Sequence, residues 1–136
     1  MASEFVKFLN PKSWKRPKGY SNVVSARGRM VFVAGQIGWT GDEIFETDDF
    51  AGQVRQALEN IKACLETADA RPEHIVRLTW YATDKREYLG TLPEIGAAYR
   101  DVFGKCFPAM ALLEVADLVE NRAKIEIEAT AIVPEN

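Results

Sequence analysis

The sequence predicts one α+β domain of order ββαβαββ, with two helices packed on one face of a mixed sheet. Three observations carry this. Short runs rich in Val, Ile, Thr and aromatic residues alternate in polarity. Two longer segments repeat apolar residues at three- and four-residue steps. No internal repeat, low-complexity tract or Gly/Ser linker divides the chain, so residues 1–136 read as a single domain.

Residues 1–19 form an arm punctuated by Pro11 and Pro17, expected to be extended. "YSNVVSARGRMVFVAGQIG", Tyr20 to Gly38, then gives two β-rich runs separated by Arg27-Gly28. Gly28 supplies the backbone freedom of a tight hairpin. In the second run Met30, Phe32 and Ala34 share one face, and Val31, Val33 and Gly35 the other.

Residues 48–68 carry the first helix. Phe50, Val54, Ala57, Leu58, Ile61 and Leu65 make one apolar stripe. Thr47, Asp48 and Asp49 offer capping oxygens beside the positive helix end, and Arg71-Pro72 closes the segment. "HIVRLTWYATD" follows as a strand, with Val76, Leu78, Trp80 and Ala82 facing one way and Arg77, Thr79, Tyr81 and Thr83 the other.

The second helix has two candidate starts with capping-box spacing, Asp84 with Glu87 and Thr91 with Glu94. Pro93 favours the later one, because inside a helix it would remove a hydrogen bond. Its stripe is Leu92, Ile95, Tyr99, Val102 and Phe103. Strands at Ala109 to Ala116 and Lys124 to Val133 end the order. Two amphipathic helices cover one face of such a sheet, so the Arg77, Thr79, Tyr81 face needs other cover. Self-association is the simplest source of it.

Composition limits function. The chain is 47% apolar and 27% charged, with a net charge of −3. An acidic balance weighs against nucleic-acid and anionic-membrane partners, and the most basic stretch, "KSWKRPK", is short. No segment approaches the roughly 18 apolar residues of a membrane span, which predicts a soluble, cytoplasmic protein. Cys64 and Cys106 stand far apart without a motif, and read as reduced thiols. No metal or cofactor is expected. His74, the only histidine, reads as a surface residue.

On the last strand Lys124, Glu126, Glu128 and Thr130 share one face, and Ile125, Ile127, Ala129 and Ala131 the core face. Met110, Leu112 and Glu114 share a face on the preceding strand, which is expected to be its neighbour in the sheet. If these two polar faces coincide, carboxylates gather around Met110, an arrangement suited to general acid or base work. The plainer reading is that they pair with Arg77, Arg122 or Lys124.

Six stretches in register resemble the reactive intermediate deaminase family (RidA or YjgF): "YSNVV", "VFVAGQIG", "DDFAGQVRQALENIKACLETADA", "HIVRLTWYATD", "FPAM" and "KIEIEATAIV". The likeness runs from about Tyr20 to Val133. It implies a chorismate-mutase-like fold and a homotrimer whose sheets form a central β-barrel with clefts between subunits. It also implies hydrolysis of small imines or enamines, such as 2-aminoacrylate, to a carbonyl product and ammonia. By the family's pattern Glu126 is the catalytic residue that handles water, while Tyr20 and Gly35 line the substrate site.

The position of the family's carboxylate-binding Arg is Met110. A thioether offers neither charge nor donor, so the preferred substrate is expected to differ from 2-aminoacrylate. Ala34 stands where a Ser is common, and Leu112 replaces a small polar or thiol residue. With Trp39, these make the substrate-binding cleft more apolar than the family pattern. The alternative is a non-catalytic trimer of the same fold that binds a small metabolite or a partner enzyme. An RNA-cleaving role suits the acidic chain poorly.

Overall fold

Asp49 fixes the start of α1 (Phe50–Thr67): its Oδ2 accepts from the Gly52 N–H at 2.8 Å. All six residues of the expected stripe are buried. Burying side chains as large as Leu58, Ile61 and Leu65 stabilises by about 1.5–3 kcal/mol each. The helix ends at Ala68, and Asp69 turns the chain with φ 53 before Pro72 opens a short 3-10 turn (Pro72–His74).

The computed structural model describes residues 5–135. Its main sheet holds β3 (Arg29–Ile37), β4 (Ile75–Ala82), β5 (Ala109–Glu114) and β6 (Ile125–Val133) in the order β3-β6-β4-β5. β6 runs antiparallel to both neighbours, and β4 and β5 are parallel. That parallel pair needs a crossover, which helices supply. Leu78, Trp80 and Ala82 of β4 lie beside Ala129, Ile127 and Ile125 of β6, and all six are buried under the helices. At the start of β4 the register slips between Ile75 and Arg77, so Ile75 enters the core in place of Val76.

Three expectations are corrected. An element the sequence left unassigned, β1 (Val6–Leu9) within the arm, pairs antiparallel with β2 (Val23–Ala26) in a separate two-stranded sheet. Arg27-Gly28 is therefore a corner between two sheets, not a hairpin turn. Gly28 has φ 147, and any Cβ there would strike the Val133 carbonyl. The second helix is two: α2 (Lys85–Gly90), capped by Asp84, and α3 (Leu92–Phe103), with Pro93 in its first turn. Both candidate starts are used, although the Thr91 hydroxyl donates back to the Glu87 carbonyl instead of capping α3. Finally, β5 is not the neighbour of β6, because β4 lies between them.

α1 and α3 pack together, and α1 lies on β3 and β6, so the helices occupy one side of the sheet. The other side stays bare: Phe32 is 71% exposed and Met30 57%. No described helix is long and apolar enough to cross a membrane.

Candidate functional site

A β-bulge shapes the first half of the site. Val33 pairs with Ala129 but Gln36 pairs with Ile127, so Ala34 and Gly35 together face Glu128 on β6. The Glu126 side chain lies against the Gly35 backbone, in the space that a Cβ on residue 35 would fill. Glycine is thus required by proximity rather than by its backbone angles. Among the described residues Glu126 makes no hydrogen bond or ion pair, whereas the charges nearby in sequence are engaged. Arg122 pairs with Asp48 at 2.9 Å and Lys124 with Glu87 at 3.2 Å. Trp39 follows β3, half-buried, tilted against Phe45 with ring centroids 5.7 Å apart, its carbonyl held by the Asn60 amide at 2.8 Å.

The second half stands at the opposite edge of the sheet. Ser21 N–H donates to the Pro108 carbonyl at 3.1 Å and bridges Ala109, which sets the exposed Tyr20 beside the start of β5. Met110 and Leu112 pair with Leu78 and Trp80 and pack against the hydrophobic core. Ala109, Ala111 and Leu113 pair with Arg77, Thr79 and Tyr81 instead, on the bare face. The expected common face of Met110 and Glu126 is therefore corrected: within one chain they point to opposite sides of the sheet, with β4 between their strands. Alternation groups the residues of one strand by face but does not say which side of the sheet each face takes, and the register through β4 puts Met110 with buried Leu78 and Glu126 with Tyr81. Glu114 is occupied too, its Oε1 accepting from the Lys85 N–H at 3.0 Å.

The bare face carries a pair that sequence alone did not single out. Tyr81 Oη donates to Glu128 Oε1 at 2.8 Å, which raises the Tyr81 pKa because the carboxylate prefers the protonated phenol. The signal was present in the alternation of both strands but needed their register. Arg77, expected in a structural ion pair, makes none among the described residues. It lines a shallow depression of about 430 Å³ with Thr79, Glu128, Thr130 and Phe32.

Cys106 is buried, and its Sγ–H donates to the Pro72 carbonyl at 3.2 Å. Burial pushes its thiol up to about 11, so it is not a nucleophile at neutral pH. Cys64 is half-buried and free. His74 Nδ1 accepts from the Arg71 N–H at 3.0 Å within the 3-10 turn, and burial lowers its pKa. Among the described residues no cluster of three His, Cys, Asp or Glu is arranged to hold a metal.

A protein-family model described as Endoribonuclease L-PSP matches residues 13–133. A RutC family protein of Pyrococcus horikoshii is 36% identical over 115 residues, covering 82% of this chain and 85% of its own. A 2-iminobutanoate/2-iminopropanoate deaminase of Salmonella typhimurium is 35% identical over 108 residues, covering 77% of this chain and 80% of its own. Among solved structures, a conserved Rid family protein of Yersinia pestis superposes with a TM-score of 0.83 at 30% identity. That match covers 94% of this chain and 98% of the other.

Proposed function

The chain belongs to the RidA (YjgF) family, and from that premise we propose that it hydrolyses reactive imines or enamines to a carbonyl product and ammonia. The observation that carries this reading is the carboxylate of Glu126, unpaired among the described residues and set against the Gly35 backbone on a face that no described helix covers. Water adds through its oxygen to the C=N carbon, and Glu126 accepts one of its protons. Returning that proton to nitrogen gives a carbinolamine, whose collapse releases ammonia and leaves the carbonyl. An enamine enters the same path after protonation at carbon. The Glu126 carboxylate begins and ends the cycle unprotonated.

One chain holds Gly35, Trp39 and Glu126 near one edge of the sheet and Tyr20, Met110 and Leu112 at the other. Such separated halves suit a head-to-tail assembly, in which one copy supplies each half of every cleft. A closed ring of three, the homotrimer with a central barrel, also covers the bare Phe32 and Met30 face. Sedimentation equilibrium is expected to give about three times 15.2 kDa. A monomer at micromolar concentration would remove the composite cleft.

Met110 and Leu112 are only half-buried on the edge strand β5, and the parts of them left open there favour a substrate bulkier and more apolar than 2-aminoacrylate. Ammonia release from freshly generated 2-iminopropanoate, 2-iminobutanoate and imines with longer apolar chains tests this. Rates should rise with chain length and exceed the uncatalysed background. Gly35→Ala should cut them by about 100-fold, because the new methyl must push the Glu126 carboxylate aside. A fold-stability change of under about 1 kcal/mol should accompany it, since Gly35 is exposed and the displaced group is a side-chain end. No acceleration with any imine would favour a non-catalytic binding trimer, the reading that core-packed Met110 supports.

A further inference from the structure

Charge is unevenly placed along the chain. Residues 5–41 hold seven Lys and Arg, and all 20 Asp and Glu lie outside that stretch. Lys12, Lys15, Arg16 and Lys18 stand in the arm, exposed and without ion pairs among the described residues. Trp14 lies among them, 62% exposed, and Phe8 and Leu9 of β1 are each 45% exposed. An apolar and cationic arm is left without cover.

Its complement lies on the loop after β3. Asp42, Glu43 and Glu46 are exposed and make no ion pair among the described residues, and Ile44 between them is 57% exposed. The loop is a built structure. Thr40 N–H donates to the Ile44 carbonyl at 2.9 Å, Thr40 Oγ1 accepts from the Asp42 and Ile44 amides, and Glu43 turns with φ 62. The arm leads into Tyr20 at the β5 edge, and the loop leads out of β3 at the other edge.

We propose that the basic arm of one copy seats on the acidic 41–49 loop of the next, with Trp14 against Ile44 roofing the cleft between them. The proposal rests on the composite-cleft reading, because this contact brings Tyr20 of one copy toward Trp39 and Glu126 of another. Complementary exposed charges set the register of such an interface and speed its formation, and salt weakens it. Arm and loop lie at different edges of one chain, so the contact is head-to-tail, the kind that forms a ring when the rotation between copies closes.

A charge swap tests it. One variant carries Lys12→Glu, Lys15→Glu and Arg16→Glu; a second carries Asp42→Lys, Glu43→Lys and Glu46→Lys; a third carries all six. Either single set should weaken association by roughly ten- to a hundred-fold at low salt, with a parallel loss of ammonia release. The six-fold variant should recover most of both. Thermal melts report folding, and a Lys/Arg→Gln arm series keeps the test readable if a reversal set unfolds.

An assembled, active wild type indifferent to these sets, or no recovery in a folded six-fold variant, overturns the arm contact and leaves the function reading intact. Recovery of assembly in a protein that never releases ammonia defeats the function reading alone. If the arm reversals abolish binding to single-stranded RNA or to phosphatidylserine vesicles while assembly is unchanged, the arm serves another partner and the contact proposed here is wrong.

Discussion

Glu126→Gln should reduce ammonia release by about two to four orders of magnitude, the usual contribution of a positioned general acid or base. An amide is close to a carboxylate in shape but cannot take a proton from water. The side chain makes no hydrogen bond or ion pair among the described residues, so the substitution removes no structural partner, and stability should shift by less than about 0.5 kcal/mol. The loss should therefore fall mainly on kcat, with KM nearly unchanged.

Glu128→Gln is the matched comparison. Glu128 is committed to the Tyr81 hydroxyl at 2.8 Å, and the Gln carbonyl still accepts that bond. Its rate should fall far less. Melting temperature, oligomer size and initial rates measured side by side decide the matter. If both variants lose activity equally, the bare face as a whole, rather than Glu126, carries the effect. If neither loses it, water is activated elsewhere.

Much of the fold was legible because it rests on periodicity. The α1 stripe was readable from spacing, with the cap narrowed to Thr47, Asp48 or Asp49, and so was the inward set Ile125, Ile127, Ala129 and Ala131 of β6. Pairing partners were not legible. Nothing local says that β2 joins β1 rather than β3, since Gly28 suits a corner between sheets as well as a hairpin. Nor does the β5 sequence reveal that β4 separates it from β6. The site suffered most from that gap: alternation located Met110 and Glu126 within their strands but left open which faces coincide. The contact of Gly35 with Glu126 likewise depends on a bulge, and bulges leave little trace in composition.

Met110→Arg should improve use of 2-iminopropanoate by about ten- to a hundred-fold, the worth of roughly one charged hydrogen-bonding partner for a carboxylate. The expectation rests on the composite cleft and not on a shared strand face. Met110 sits one residue from Ala109, which bridges Ser21, so a longer side chain there can emerge beside Tyr20 at the free edge of β5. In the proposed assembly the next copy would supply Glu126 across the cleft. Guanidinium would bind the substrate carboxylate through two parallel N–H bonds and hold the imine carbon toward that water site. The gain should appear in KM more than in kcat, and imines lacking a carboxylate should show none.

Adding Glu126→Gln to Met110→Arg should erase the gain, because a better-held substrate still needs its proton acceptor. Burial is the main competing effect. Met110 packs against the core, and a guanidinium that fails to reach the cleft would remain partly buried without a partner, costing about 3 kcal/mol or more in stability. Melting temperature and sedimentation therefore separate two kinds of failure. A destabilised or dissociated variant says that residue 110 opens toward the core in the assembled protein, which itself argues against a carboxylate clamp at this position. A folded, trimeric Met110→Arg with no gain says that this cleft does not grip its substrate by a carboxylate, and the binding-trimer reading then leads.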